Sequence, residues 1–252
     1  VVKNTTGVRA TGMGYSALCA NTTGNNNTGV GNQVLLKGTT GGQNTGLGSY
    51  AGICNIDCSE NTSIGYAALY TNVASCNTGV GSRALCANTT GTKNVAVGYN
   101  TLSTNVTGDN NTAVGVEAAF KTTAGDNTAI GSSALRCNLG GCFNSALGTH
   151  ALYYNTTGIN NTGLGRGALC CNTIANNNTA VGRNAGACNT SGAQNTGIGS
   201  SALMGYGGTV TGSDNTGVGY FAAGRTTSGA GNVSVGARNL CANTSGSYNA
   251  AV

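Results

Sequence analysis

The sequence predicts an all-β fold, a parallel β-solenoid (β-roll) of about 15 coils with a 17-residue repeat, on three observations. First, an aliphatic residue followed by Gly recurs as an anchor at Met13, Val30, Leu47, Ile64, Val80, Val97, Val114, Ile130, Leu147, Leu164, Val181, Ile198, Val218 and Val235, with Val252 closing the series. Second, successive anchors are 17 residues apart in eleven cases, 16 in two and 20 in one, the signature of stacked coils with fixed strands and adjustable corners. Third, 44 Gly, no Pro, no Trp and 7% charged residues mark a repetitive chain with few large side chains, whose order must come from backbone hydrogen bonding.

Each coil opens on a strand. Asn, Thr, a small residue, the anchor and Gly follow one another, and alternation places Thr and the anchor on one face with the small residue on the other. Val95 and Val233 replace that Thr, which predicts that this face turns inward with the anchors as core. The Gly after the anchor suits a corner with positive φ. Ala and Leu follow four and five residues past the anchor, as in Ala84-Leu85 and Ala134-Leu135, and supply the second apolar row. A helix would need apolar residues at i, i+3, i+4 and i+7 with good formers between, and the Gly, Asn and Thr runs supply neither. Asn stacked coil on coil predicts an amide ladder along the axis. The absence of Pro fits coils that each give their N–H groups to a neighbour. At about 4.8 Å per coil the stack would be a rod on the order of 70 Å long.

"NVAVG" at Asn94 and "NTAVGVEAA" at Asn111 resemble the head repeats of trimeric autotransporter adhesins, and the latter also resembles the NTAVG-repeat arrays of tail-fibre-like surface proteins. The resemblance covers the whole chain. It implies a parallel β-roll, a cell-surface location and a trimeric or fibrous assembly. The chain departs from the adhesin heads in its longer coil, its Thr in place of Val and its cysteines.

Residues 1–252 read as a single repeat domain, uncapped at both ends. Val1 falls at the phase of the core Leu and Val252 at the anchor phase, so head-to-tail stacking into a filament is expected, with self as the partner. No apolar run approaches the roughly 18 residues of a membrane-spanning segment. The 11 basic residues are scattered singly, which argues against a nucleic-acid partner.

Thirteen Asn-x-Ser/Thr sequons are candidate glycosylation sites: Asn4, Asn21, Asn26, Asn61, Asn88, Asn105, Asn110, Asn155, Asn160, Asn177, Asn189, Asn232 and Asn243. Those followed by Gly after the sequon are expected at turns with a glycan pointing outward, and Asn26, Asn110, Asn160 and Asn177 at corners before the strand. Eleven cysteines in a chain with a thin core predict disulfides and an extracellular compartment, with at least one thiol left over. Cys171 and Cys188 share a phase in adjacent coils, Cys58 and Cys76 lie in neighbouring turns, and Cys137 and Cys142 are close enough in sequence to close one turn.

No catalytic constellation is legible, and the chain does not read as an enzyme. His150 is the only imidazole, Asp126 is remote in sequence from it, and both fall at variable outward positions. Cys54 and Cys58 lack the further ligands a metal needs, and no cofactor motif is followed by a strand-to-helix transition. The sequence therefore points to a structural subunit of an extracellular fibre, assembled by coil stacking and glycan-decorated. The alternative is a trimeric adhesin or tail-fibre shaft that touches a receptor through residues two and three past each anchor. A third reading, ice binding through Thr rows, is weakened because the second Thr of the turn becomes Asp57, Ala74, Ala124, Gly140 and Ile174. The 20-residue coil bulges near Met204 and exposes Tyr206.

Overall fold

The computed structural model describes residues 3–252, so the phase of Val1 lies outside the described residues. The chain divides into two compact units, one ending at Asp126 and one running from Asn127 to Val252. The first holds β1 (Thr11–Met13), β2 (Thr28–Val30), β3 (Thr45–Leu47), β4 (Thr62–Ile64), β5 (Thr78–Val80), β6 (Val95–Val97) and β7 (Thr112–Val114). The second holds β8 (Thr128–Ile130), β9 (Ser145–Leu147), β10 (Thr162–Leu164), β11 (Thr179–Val181), β12 (Thr196–Ile198), β13 (Thr216–Val218), β14 (Val233–Val235) and β15 (Ala250–Ala251). Within each unit the strands pair in parallel in sequence order, and like residues face like residues: Thr28 pairs with Thr45 and Val30 with Leu47. No helix occurs among the described residues. Each unit is the parallel β-solenoid that the 17-residue period predicts.

The unequal coils keep this register. Thr62 faces Thr78 across a 16-residue coil, and Thr196 faces Thr216 across the 20-residue one. The three extra residues are absorbed between Met204 and Val210, where an isolated bridge joins Asn189 to Val210.

The Gly after each anchor is fixed by two constraints at once. Gly31 has φ 139°, and a Cβ there would stand 2.5 Å from the carbonyl oxygen of Gly48 in the next coil. Beyond it the backbone turns by alternation, with Gln33 (φ 52°) and Leu35 (φ 47°) both left-handed. Such a conformation costs about 1–2 kcal/mol in a non-glycine residue. It is offset because alternate N–H groups then point to opposite neighbours: Gln33 N–H donates to Tyr15 O at 2.8 Å one coil back, and Leu35 N–H to Ala51 O at 3.0 Å one coil forward.

The interior corrects one expectation. None of the anchors is buried: Val30, Ile64, Val80, Val114, Val181 and Val218 are half-exposed, while Leu47, Val97, Ile130, Leu147, Leu164, Ile198 and Val235 are exposed. Thr and the anchor do share a face, but that face is outward. The small residue between them points in, and Ala96, Ala113, Ala129 and Ala146 are fully buried. Space decides the matter. Leu18, Leu35, Leu69, Leu85, Leu102, Leu135, Leu152 and Leu169, each at most 2% exposed, fill the lumen together with Asn side chains. A Cβ added at Gly46 would already meet Val34 Cγ2 at 2.5 Å, so no anchor-sized side chain fits there.

Candidate functional site

Two buried rows of asparagine frame the lumen. In the row that precedes each strand, Asn44 N–H and Nδ2 both reach Asn27 Oδ1, at 2.9 and 3.2 Å, and Nδ2 also donates to Cys58 O at 2.7 Å. In the second row, eight residues past the anchor, Asn172 Nδ2 donates to Asn155 Oδ1 at 2.8 Å, and Asn155 Nδ2 to Asn138 Oδ1 at 2.9 Å. The predicted ladder is therefore double. Most of these amides bond to a coil neighbour and to a turn carbonyl, so burial is largely satisfied along the axis; Asn55 Nδ2 and Asn189 Oδ1 are left without a partner.

This arrangement divides the sequons. Asn21, Asn61, Asn88, Asn105, Asn155, Asn189 and Asn232 are buried ladder members, at most 3% exposed, which corrects the outward placement of Asn21, Asn88, Asn105, Asn155 and Asn189. A glycan on any of them would remove an amide hydrogen from the ladder and have no way out of the lumen. Asn26, Asn110, Asn160 and Asn177 stand exposed at the left-handed corner before a strand, Asn4 is exposed, and Asn243 is half-exposed.

All eleven cysteines are free thiols, so none of the three expected pairs is joined. For Cys171 and Cys188 the phase is shared, but parallel stacking holds equivalent Cβ atoms about one strand spacing apart, near 4.8 Å, against the roughly 3.8 Å that a disulfide needs. Cys58 and Cys76 differ in phase, six and four residues before their anchors: Cys76 Sγ donates to Glu60 Oε2 at 3.6 Å, while the Cys58 carbonyl accepts from Asn44 Nδ2 at 2.7 Å. Cys137 and Cys142 fall on different turns of the coil, on either side of the buried Asn138. The disulfide argument for an oxidising compartment therefore falls away. Among the described residues no cluster of three metal-ligating side chains forms. One thiol pair is chemically distinct. Cys170 and Cys171 place their sulfurs 3.6 Å apart, and donation from Cys170 holds Cys171 down to about 7 while Cys170 is pushed up by the same bond and by burial.

The outward side chains two, three, six and seven residues past the anchors converge on one edge of each unit. In the first unit Tyr50, Tyr66, Tyr70 and Arg83 line a shallow groove of about 530 Å³, with ring centroids 6.0 and 6.5 Å apart around Tyr50. The second unit has two such grooves. One, of about 390 Å³, is lined by His150, Tyr153, Tyr154, Arg166, Cys170 and Asn184. The Tyr153 ring lies 4.5 Å from that of Tyr154 and 5.2 Å from His150, and the Arg136 guanidinium sits 5.8 Å from its centroid. The other, of about 360 Å³, sets Arg238 5.7 Å from the ring centroid of Tyr220. His150 thus belongs to an aromatic and cationic groove that no carboxylate lines. Sequence reading marked the positions two and three past the anchor but missed their partners at six and seven; the signal was Tyr, Arg and Cys recurring at those phases.

A second surface is more regular. The outward strand faces carry rows of Thr28, Thr45, Thr62 and Thr78 in the first unit and Thr162, Thr179, Thr196 and Thr216 in the second, each beside its row of anchors. The turn Thr row is interrupted at Asp57, Ala74, Ala124, Gly140 and Ile174, whereas the regular row lies on the strands. No helix among the described residues is long and apolar enough to cross a membrane. No family model, curated protein or solved structure matches the chain.

Proposed function

We propose that the chain is a structural scaffold of an extracellular or cell-surface assembly, each of its units a stiff repeat element whose coils are held by hydrogen bonds in series. The observation that carries this reading is the doubled asparagine ladder running beside the coil-to-coil backbone bonds, as in Asn144 N–H to Asn127 Oδ1 at 3.1 Å and Thr128 N–H to Asn144 O at 2.9 Å. Bonds that all run parallel to the axis resist axial slip together, which is the mechanical property a fibre element needs. The extracellular placement rests on the resemblance to adhesin heads and tail-fibre-like arrays. Self-association by coil stacking is the assembly we propose, because coils already stack in register within the chain, Thr28 on Thr45 and Val30 on Leu47, and the same register can be continued between copies. Electron microscopy of the purified chain tests it: filaments support the proposal, and discrete single rods at every concentration overturn the stacking. Glycan decoration, where the source glycosylates, falls on Asn26, Asn110, Asn160 and Asn177, and peptide mapping that finds the folded protein occupied at Asn88 or Asn155 instead would contradict it.

One observation favours a second reading. The strand-borne Thr rows stand about 4.8 Å apart between coils, and each Thr lies about 6.8 Å from its anchor, giving a flat lattice of hydroxyls and methyls able to order water. Thermal hysteresis measured on the folded chain decides for or against ice binding.

A further inference from the structure

The second unit carries five Arg, one His and a single acidic side chain, Asp214. The arginines look scattered in sequence, yet each lies between two and seven residues past an anchor: Arg136, Arg166, Arg183, Arg225 and Arg238. The solenoid gathers them on one edge with Tyr153, Tyr154, Tyr220 and Phe221. Asp214 lies at the other turn of its coil, four residues before the β13 anchor. No carboxylate therefore stands on the arginine edge.

Two of these cations are set against each other. Arg166 and Arg183 occupy the same phase of adjacent coils, so their Cα atoms stand about 4.8 Å apart and their like charges face one another. Both side chains are exposed. An anion bridging the two guanidiniums would relieve that repulsion through paired N–H donors that match a planar or tetrahedral oxyanion. Beside them the groove offers two tyrosine hydroxyls, an imidazole and the Asn184 amide as hydrogen-bonding groups.

We infer that the arginine edge of residues 127–252 binds an acidic polysaccharide, with a carboxylate or sulfate group on Arg166 and Arg183 and sugar hydroxyls on the tyrosines and Asn184. The groove volume of about 390 Å³ lies within the range of small-molecule sites, roughly 300–1,000 Å³, and a second groove lined by Arg225 and Arg238 at the same phases of later coils suits an extended chain. A nucleic acid fits less well. Its bases need free aromatic faces, whereas the Tyr153 ring is already covered by Arg136 and edged by Tyr154 and His150. This inference goes beyond the scaffold role and stands or falls separately from filament formation.

The test is immobilised-ligand binding of the full chain at low and high salt. The probes are a sulfated polysaccharide, a polyuronate, neutral dextran and a single-stranded oligonucleotide. The expected result is salt-sensitive binding to the sulfated or the uronate polymer, which of the two identifying the anion, and none to dextran. Arg166→Gln with Arg183→Gln should weaken it at least about tenfold, equivalent to about 1.4 kcal/mol, at an unchanged melting temperature. Replacement of both by Lys should restore only part of the affinity, since an ammonium lacks the planar fork. Lys93→Gln, which removes one charge from a corner of the other unit, should have no effect. Tighter binding of the oligonucleotide, equal losses in the Lys93 variant, or no binding to either polyanion would each overturn the inference.

Discussion

Asn105 Nδ2 donates to Asn88 Oδ1 across 3.0 Å, one coil back and 17 residues away in sequence. The same amide nitrogen donates to Gly108 O at 2.9 Å, and Asn105 Oδ1 accepts from Gly108 N–H at 3.1 Å. One side chain thus closes its own turn and ties it to the preceding coil. Asn105→Ala leaves three buried polar groups short of a partner. At about 1–3 kcal/mol for a group wholly unmet, and less where another donor remains, a loss of about 3 kcal/mol is expected. Urea unfolding measures it, and a change below about 1 kcal/mol would show that the ladder does not hold the coils.

The converse substitution completes a broken ladder. Gly38 stands where other coils carry the second-row Asn, and Asn55 Nδ2 in the next coil has no partner. Gly38→Asn supplies an acceptor to Asn55 and removes a glycine from the unfolded ensemble. The Cβ would meet Asn55 O at 3.0 Å, a tight contact that the Asn-bearing coils accommodate at the same phase. An increase of about 1–2 kcal/mol in unfolding free energy is expected. A decrease would mean that the coil is shaped around glycine.

The period, the strand positions and the amide ladder were legible because each repeats coil after coil. Facing was legible only by half. Alternation tells which residues share a face, but in a three-residue strand it does not tell which face is inside. Val95 and Val233 were read as evidence that the Thr position turns inward, yet they are 37% and 41% exposed. The informative signal was the middle residue, which is Gly, Ala or Ser in every three-residue strand, because the Leu row and two amide rows leave room only for a methyl or for a small hydroxyl that finds a backbone carbonyl, as Ser63 does at Thr45 O. The sequons misled for a related reason: an Asn before Thr at a turn reads as surface unless its amide is known to be spent inside. The grooves needed the coil geometry itself, since Tyr153 and Arg136 are 17 residues apart and meet only when stacked.

The thiol pair gives a pH dependence. Cys171 is held at about 7 against an ordinary 9.0, first by the hydrogen bond from Cys170, so its thiolate predominates above that pH. A folded-state value below the unfolded one contributes stability that is present above about 9 and is lost as pH falls through about 7. Iodoacetamide labelling followed by peptide mass spectrometry should show Cys171 reacting with a midpoint near 7 and Cys86, raised by burial, only at higher pH. Cys170→Ala removes the donor, and the Cys171 midpoint should return towards 9. A wild-type midpoint already near 9 would refute the coupling.

Adjacent residues of β6 test the facing directly. Ala96 points into the lumen and is fully buried, whereas Val97 points outward and is 36% exposed. Ala96→Leu forces three extra carbons into a space bounded by the Leu row and the stacked Ala113. Overpacking of this kind costs about 1–3 kcal/mol and more where the walls cannot move. Those walls are backbone locked in register on both sides, so the upper end of that range is expected. Val97→Thr keeps the β-branch and exchanges a methyl for a hydroxyl on the solvent side, and should change stability by no more than about 0.5 kcal/mol. Had the anchors formed the core, the order would reverse, with Thr at position 97 burying an unpaired hydroxyl and Leu at position 96 lying harmlessly in solvent. Paired thermal melts of the two variants therefore separate the two orientations by the sign of a single difference.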